Sequence, residues 1–349
     1  MDRTKSEDYK SVLIAFLIAA ALVLGAAGLP AQYGSWLVLL SVLAAPVALG
    51  CAVAGGGMAA GGVAAVLCFA VGCLLDYKLS LMLAALSLPF AFTVGYVLRK
   101  KIRFRHSVLA ASGAALAGTG LAVGVLWLMT GELPVDFYIG RMGSFFSSMS
   151  DAMVRDWYQL MRSADLVTGA VTQTALDATS RGDAIVYLLS QFKEYVNIML
   201  VGMLGIYALL MGLIGYLIPH GVLKRRNVDV SAVPAFSDFA LPNRFWLAFL
   251  LSYLFAAIGA GFGWKGFDIL EVTVYALYAL VLTVQGLAFL DYMYKRRKMG
   301  KTARIVLHVL ALLISALASM VGSILMWVGI FENMAKLRKR LESKGGAVM

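Results

Sequence analysis

Charge is scarce in this chain. Only 14% of its 349 residues are Asp, Glu, Lys or Arg, against about 25% in an ordinary soluble domain. So few charges cannot clothe a water-facing surface of this size, and a soluble multi-domain enzyme is the first class to be excluded. Cysteine is nearly absent too: Cys51, Cys68 and Cys73 all lie in or beside apolar stretches and form no CxxC pair, so neither a disulfide framework nor a thiolate metal cluster is expected. The three histidines, His106, His220 and His308, have no second ligand at metal spacing, and HExxH does not occur. No metal and no cofactor are expected. GxSxG and GxxxxGK[ST] are also missing, which removes the usual routes to acyl transfer and nucleotide hydrolysis. The chain reads as a non-enzyme, and primary pumping would need a separate ATPase.

What it has instead is apolar length. Hydrophobic residues make up 61% of the chain, and a bilayer core about 30 Å thick is crossed by roughly 20 of them at 1.5 Å rise per residue. Nine stretches approach that length: 11–29, 35–54, 58–75, 79–98, 107–130, 195–217, 245–263, 269–290 and 305–330. The fold class expected is all-α, a multi-pass transmembrane helix bundle with eight or nine spans. The first stretch reads as an uncleaved helix and not a signal peptide, because the segment before it mixes Asp2, Glu7 and Asp8 with Arg3, Lys5 and Lys10 and the apolar run is long. Small residues recur four apart within spans, as at Ala15 and Ala19, Gly57 and Gly61, and Gly120 and Gly124, where helices can approach closely or dock a second subunit.

The net charge of +11 is distributed as membrane proteins distribute it, in short clusters beside span ends: Arg99 to Arg105, Lys224 to Arg226, Lys295 to Arg304 and Lys336 to Lys344. This pattern points to anionic lipid as the partner of the charge, and not to nucleic acid. With the Arg99 cluster in the cytoplasm, alternation places the N-terminus inside and residues 131–194 outside a bacterial cytoplasmic membrane. That insertion carries eight acidic residues against five basic ones, in keeping with an outer location. The chain divides into a five-span half (1–130), a helical insertion (131–194) and a three- or four-span half with a basic tail (195–349). One conflict arises at the end. Nine crossings would put Lys336 to Lys344 outside while Lys295 to Arg304 stays inside, so either 305–330 is bent or re-entrant near Ser315 to Gly322 or the tail breaks the charge rule.

Within the insertion, Met142, Phe145, Phe146, Met149, Met153, Trp157, Leu160 and Met161 recur at spacings of three and four, opposite Asp151, Arg155 and Arg162. One amphipathic helix is expected, its Met and aromatic face meeting membrane interface, bundle or partner. Asp183 is an expected N-cap for a helix running on to 217.

Polar groups inside spans are costly and therefore informative. Gln285, mid-span beside Gly286, and Asn197, near the entry of the sixth span, are the candidate ligand-binding residues. No buried Asp, Glu, Lys or Arg is expected, which argues against a charged ion relay. The order of short-looped spans, long outer insertion, VLKRR, ALPNRFW, VQGLAFLDYMYKRR and VGIFENMAKLRKRLE resembles the YybS-like family of bacterial predicted membrane proteins. That family is in turn similar to the substrate-binding membrane subunits of energy-coupling-factor transporters. The resemblance implies binding of a small-molecule solute and work with a coupling subunit and an ATPase, with Ala15 and Ala19 on the first helix as the docking surface. The competing class is a membrane scaffold or regulator acting through residues 131–194.

Overall fold

A computed structural model describes residues 3–28, 31–163, 181–225, 228, 230–317 and 319–345. In chain order its helices are α1 (Arg3–Gly28), α2 (Ala31–Cys73), α3 (Tyr77–Arg99), α4 (Phe104–Thr130), α5 (Pro134–Ser148), α6 (Asp151–Ser163), α7 (Arg181–Arg225), α8 (Phe245–Gly261), α9 (Phe267–Arg296), α10 (Lys301–Leu317), α11 (Ser319–Ala335) and α12 (Leu337–Gly345), with one 3-10 turn at Phe236–Asp238. No strand occurs among the described residues. Two compact units form. Unit 1 holds Met1–Leu200 and Tyr207–Ser231; unit 2 holds Val201–Ile206 and Ala232–Met349.

In unit 1, α2 is two arms, not one rod. Gly57 adopts φ 95° and ψ 164°, open to glycine and strained for other residues, and the chain doubles back there. A Cβ on Gly61 would collide with the backbone of Val53, which a straight helix would hold about 12 Å away. The arms correspond to the separate apolar stretches at 35–54 and 58–75. Arg99, at the end of α3, closes the fold: its Nε donates to the Ala54 carbonyl at 3.2 Å and its Nη2 to that of Gly55 at 3.4 Å. A helix end leaves its last carbonyls without intrahelical partners, and here a basic side chain from a neighbour supplies the donors.

The rest of unit 1 packs through small residues. Ala19, Ala45, Ala65, Cys68 and Ala91 are buried with Val23, Leu49, Val53, Phe69 and Leu83. A Cβ on Gly118 would meet the Leu86 carbonyl, and one on Gly212 would meet Ser112, so α4 touches α3 and α7 nearly backbone to backbone. The large apolar side chains face outwards, Leu13, Leu17, Val63, Val66, Leu109 and Leu116 among them. In lipid this inversion is stable, because hydrocarbon costs these side chains nothing and close helix approach supplies the packing energy.

The amphipathic stretch of the insertion is two helices, α5 and α6, where one was expected. Ser144, Ser147 and Ser148 turn their hydroxyls back onto the carbonyls of Gly140, Gly143 and Phe145, competing with the helical ladder, and Met149 is extended at φ −79° and ψ 157°. Ser150 then starts α6, its Oγ accepting from the Met153 N–H at 3.4 Å. Phe146 and Val154, with Met142 and Met149, pack on Ile185, Leu188, Leu189 and Phe192 of α7. With 45 residues, α7 is about 68 Å long, twice a hydrocarbon core and more. The side chains of Leu160, Met161 and Asp183 and the whole of 164–180 lie outside the described residues.

Unit 2 is ordered by direction. Helices α8 and α9 are antiparallel, with Phe249 against Tyr278 at 5.2 Å and Tyr253 against Tyr275 at 6.1 Å between ring centroids. Helix α10 also runs against α9: Arg304 pairs with Asp291 at 3.1 Å, and four residues on His308 Nε2 meets the Leu287 carbonyl at 3.2 Å. Helix α11 runs with α9 instead, since Gly329 lies on Leu282, Glu332 meets Gln285, and Arg338 beyond it reaches Tyr292. The apolar stretch at 305–330 is therefore a helical hairpin that begins and ends at one end of unit 2. Each helix has 17 residues, roughly 25 Å, short of a full hydrocarbon core. The side chains of 312–323, where the bend was expected, lie outside the described residues.

Candidate functional site

The hairpin returns the chain to the end of unit 2 where the segment 232–244 lies, and four side chains tie the two together. Gln285 is 1% exposed; its Oε1 accepts from the Leu241 N–H at 2.8 Å and its Nε2 donates to Glu332 Oε2. Asn333 Oδ1 accepts from the Trp246 N–H at 3.1 Å, serving the first turn of α8 as a cap from another helix, while its Nδ2 donates to the Pro242 carbonyl at 3.0 Å. Arg338 Nη1 donates to the carbonyls of Ser237 at 2.7 Å and Phe239 at 2.8 Å. Its Nε lies 3.2 Å from Glu332 Oε1, an ion pair without hydrogen-bond alignment, and its guanidinium sits 5.8 Å from the centre of the Tyr292 ring.

Close helix contact makes this reach possible. A Cβ on Gly286 would strike the Leu325 carbonyl and one on Gly329 would strike that of Leu282, so α9 and α11 cross with their backbones touching. Beside the crossing is a cavity of about 320 Å³ lined by Asp238, Asn243, Gln285, Tyr292, Glu332 and Arg338, with Lys336 and Lys339 on its wall. Glu332 and Arg338 are only 5% and 8% exposed. Two opposite charges withdrawn from water hold each other firmly, since little solvent screens them and removal of either strands the other. Arg338 Nη2 is buried as well and has no acceptor among the described residues.

The expectation that no charged side chain is buried is thus corrected at Asp291, Glu332 and Arg338. These lie near helix ends, where the sequence reads as solvated charge; partners 13 to 101 residues away in sequence bury them. Of the two candidate ligand residues, Gln285 is in this cluster, whereas Asn197 is exposed on α7 in unit 1. Ala19 is in the core of unit 1, and Ala15 lines an apolar cleft of about 420 Å³ there with Ile14, Ile18, Val47 and Ile214. In the insertion Phe146 is buried, and Phe145, Met153 and Trp157 are exposed. Among the described residues no group of three His, Cys, Asp or Glu is placed to hold a metal ion.

Five described helical segments are long and apolar enough to cross a membrane: α3, α4, 188–225, α9 and 40–73, the last divided into two arms by the reversal at Gly57. A model of the predicted membrane protein family DUF2232 matches residues 17–331. The chain belongs to the DUF2232 family. It is an integral membrane protein, and lipid surrounds its apolar helices. No curated protein and no solved structure matches it. Within this DUF2232 chain, Gln285 and the 232–244 segment fall inside the matched residues, while Glu332, Asn333 and Arg338 follow immediately after them.

Proposed function

We propose that the protein binds a small polar solute in the cavity of unit 2 and moves it across a bacterial cytoplasmic membrane together with a separate energising partner. The observation that carries this reading is the cavity itself. It brings amide, phenol and carboxylate groups from the 232–244 segment, α9 and α11 together around a buried ion pair. Sites that take small molecules are concave and carry a few converging polar groups. We read the protein as a binder and not as an enzyme. The resemblance to substrate-binding transporter subunits favours a coupling subunit and an ATPase as partners, in keeping with a sequence that holds no phosphate-binding loop.

The same reading places the basic ends of the helices, and the N-terminus, in the cytoplasm. With α10 and α11 as a re-entrant hairpin, the bundle crosses eight times, and the clusters at Lys295 to Arg304 and Lys336 to Lys344 share one side.

Purification from the native host in mild detergent, followed by native mass spectrometry, tests the function. One stoichiometric small molecule is expected, lost in Ala240→Trp, which fills the cavity from its exposed rim. The variant is checked for an unchanged fold by circular dichroism, since Ala240 lies between the Phe239 carbonyl and the Leu241 N–H that hold Arg338 and Gln285. Absence of any small molecule, or its retention by the variant, would sink the proposal. A second reading, a scaffold acting through the insertion, is favoured by the exposure of Phe145, Met153 and Trp157 at 55%, 50% and 40% beyond the contact with α7. A photo-crosslinker at Met153 would capture one envelope protein on that reading, and only lipid on the first.

A further inference from the structure

We infer that the cavity of unit 2 takes a compact anion, a phosphate or carboxylate group, with Arg338 as its central donor and Lys336 and Lys339 completing the field. The inference rests on the reading of this cavity as the ligand site and names the chemistry it selects.

A guanidinium carries five N–H donors and accepts nothing. In Arg338, Nη1 serves two carbonyls and Nε lies along Glu332, which leaves both N–H groups of Nη2 unspent. A buried donor without an acceptor is costly, and a charged one more so. The residue is nevertheless only 8% exposed, held on three sides, and forms part of the cavity wall. Its Nη2 has almost no accessible surface, so an acceptor in the cavity meets it only once the guanidinium turns towards the opening. Arginine is the side chain that meets carboxylate and phosphate oxygens as a planar fork.

The other charges on the wall leave a small positive excess. Glu332 is already met by Arg338 and by Gln285 Nε2, and the Asp238 carboxylate accepts from Ser237 Oγ at 3.0 Å. Lys336 and Lys339 are exposed and make no ion pair among the described residues. The serine leaves the Asp238 charge in place, so three positive groups (Arg338, Lys336, Lys339) stand against two negative ones (Glu332, Asp238) and the wall keeps a net charge of +1. A cavity of about 320 Å³ suits a small ion or a single headgroup and not a nucleotide cofactor. Because the basic clusters of unit 2 gather at this end, two sources share the chemistry: a free anionic solute, or the phosphate of a membrane phospholipid.

The test uses the full-length protein in neutral detergent and the variant Lys336→Asn/Lys339→Gln. Asn tolerates the φ of 51° at position 336, and both substitutions lie outside the buried ties. Thermal melts are recorded against inorganic phosphate at constant ionic strength, and separately in micelles doped with phosphatidylglycerol or phosphatidylcholine. The expected result is stabilisation by phosphate, or by phosphatidylglycerol over phosphatidylcholine, with apparent affinity about tenfold weaker in the variant, the loss of one charge-assisted contact. A response to phosphate assigns a free solute, and a response to phosphatidylglycerol alone assigns a lipid headgroup. Equal responses in both proteins, or none in either, overturn the inference. If in that case a neutral molecule still co-purifies and is lost in Ala240→Trp, solute binding stands and only the anion falls; if nothing co-purifies, both fall.

Discussion

Cutting the Glu332–Arg338 pair from one side should cost far more than removing it whole. Arg338→Met leaves Glu332, 5% exposed, with only the Gln285 amide, and strands the carbonyls of Ser237 and Phe239. Glu332→Met leaves the guanidinium with those carbonyls and no counter-charge. Breaking a buried pair in this way costs about 3–5 kcal/mol for either variant. The double variant strands no charge. It loses the two carbonyl bonds and the amide bond, about 1 kcal/mol each, and so should fall about 3 kcal/mol below wild type, where simple addition of the singles gives about 6–10. The coupling energy of the cycle is then at least about 3 kcal/mol. Titration with SDS in mixed micelles, followed by circular dichroism, measures all four proteins on one scale. Additivity within about 0.5 kcal/mol, with each single costing less than about 1 kcal/mol, would show that water screens the pair as it screens surface ion pairs, and would refute the reasoning.

Two further outcomes follow from the packing and the direction of the helices. Gly286→Leu and Gly329→Leu should each destabilise unit 2 by about 3 kcal/mol or more in the same titration, because the obstacle is a backbone carbonyl that cannot rotate away, whereas Gly120→Leu, whose Cβ would meet nothing within 4 Å, should change stability by less than about 0.5 kcal/mol. Single cysteines at Lys298 and Lys339, in a chain with Cys51, Cys68 and Cys73 replaced by Ala, should both react with a membrane-impermeant maleimide in inverted vesicles and neither in intact cells; labelling from opposite sides would rule out the hairpin.

Much of the fold was legible because lipid imposes a simple rule: every span must be apolar and long. The doubling of α2 could be read from Gly55 to Gly57, where three glycines interrupt two apolar runs, and the structure puts the reversal at Gly57. Gln285 stood out because an amide in mid-span needs a partner. What could not be read was that partner. Glu332 and Arg338 lie in FENMAKLRKR, a run that looks like any solvated helix end, and the groups that bury them, the carbonyls of Ser237 and Phe239, are 101 and 99 residues away. Backbone carbonyls carry no sequence signal. In the insertion, helical spacing admitted both Phe145 and Phe146 to one apolar face, whereas adjacent residues stand about 100° apart on a helix and the packing of α5 on Ile185 and Leu188 buries only Phe146.

The clearest hint of the site was a contradiction. Two basic clusters could not both lie in the cytoplasm if 305–330 crossed once, and the hairpin of α10 and α11 resolves this by returning the chain to its starting end. That return is also what carries Arg338 to the carbonyls of the 232–244 segment and Asn333 to the first turn of α8. A single straight helix from Lys301 to Ala335, roughly 50 Å long, would carry Glu332 far from Gln285, and neither the ion pair nor the cavity beside it could form. Topology and site are therefore one feature. Maleimide labelling of Lys298 and Lys339 positions from opposite faces would remove the hairpin, the buried pair and the proposed anion site together, while labelling from one face would leave the chemistry of the cavity to be decided by its ligands.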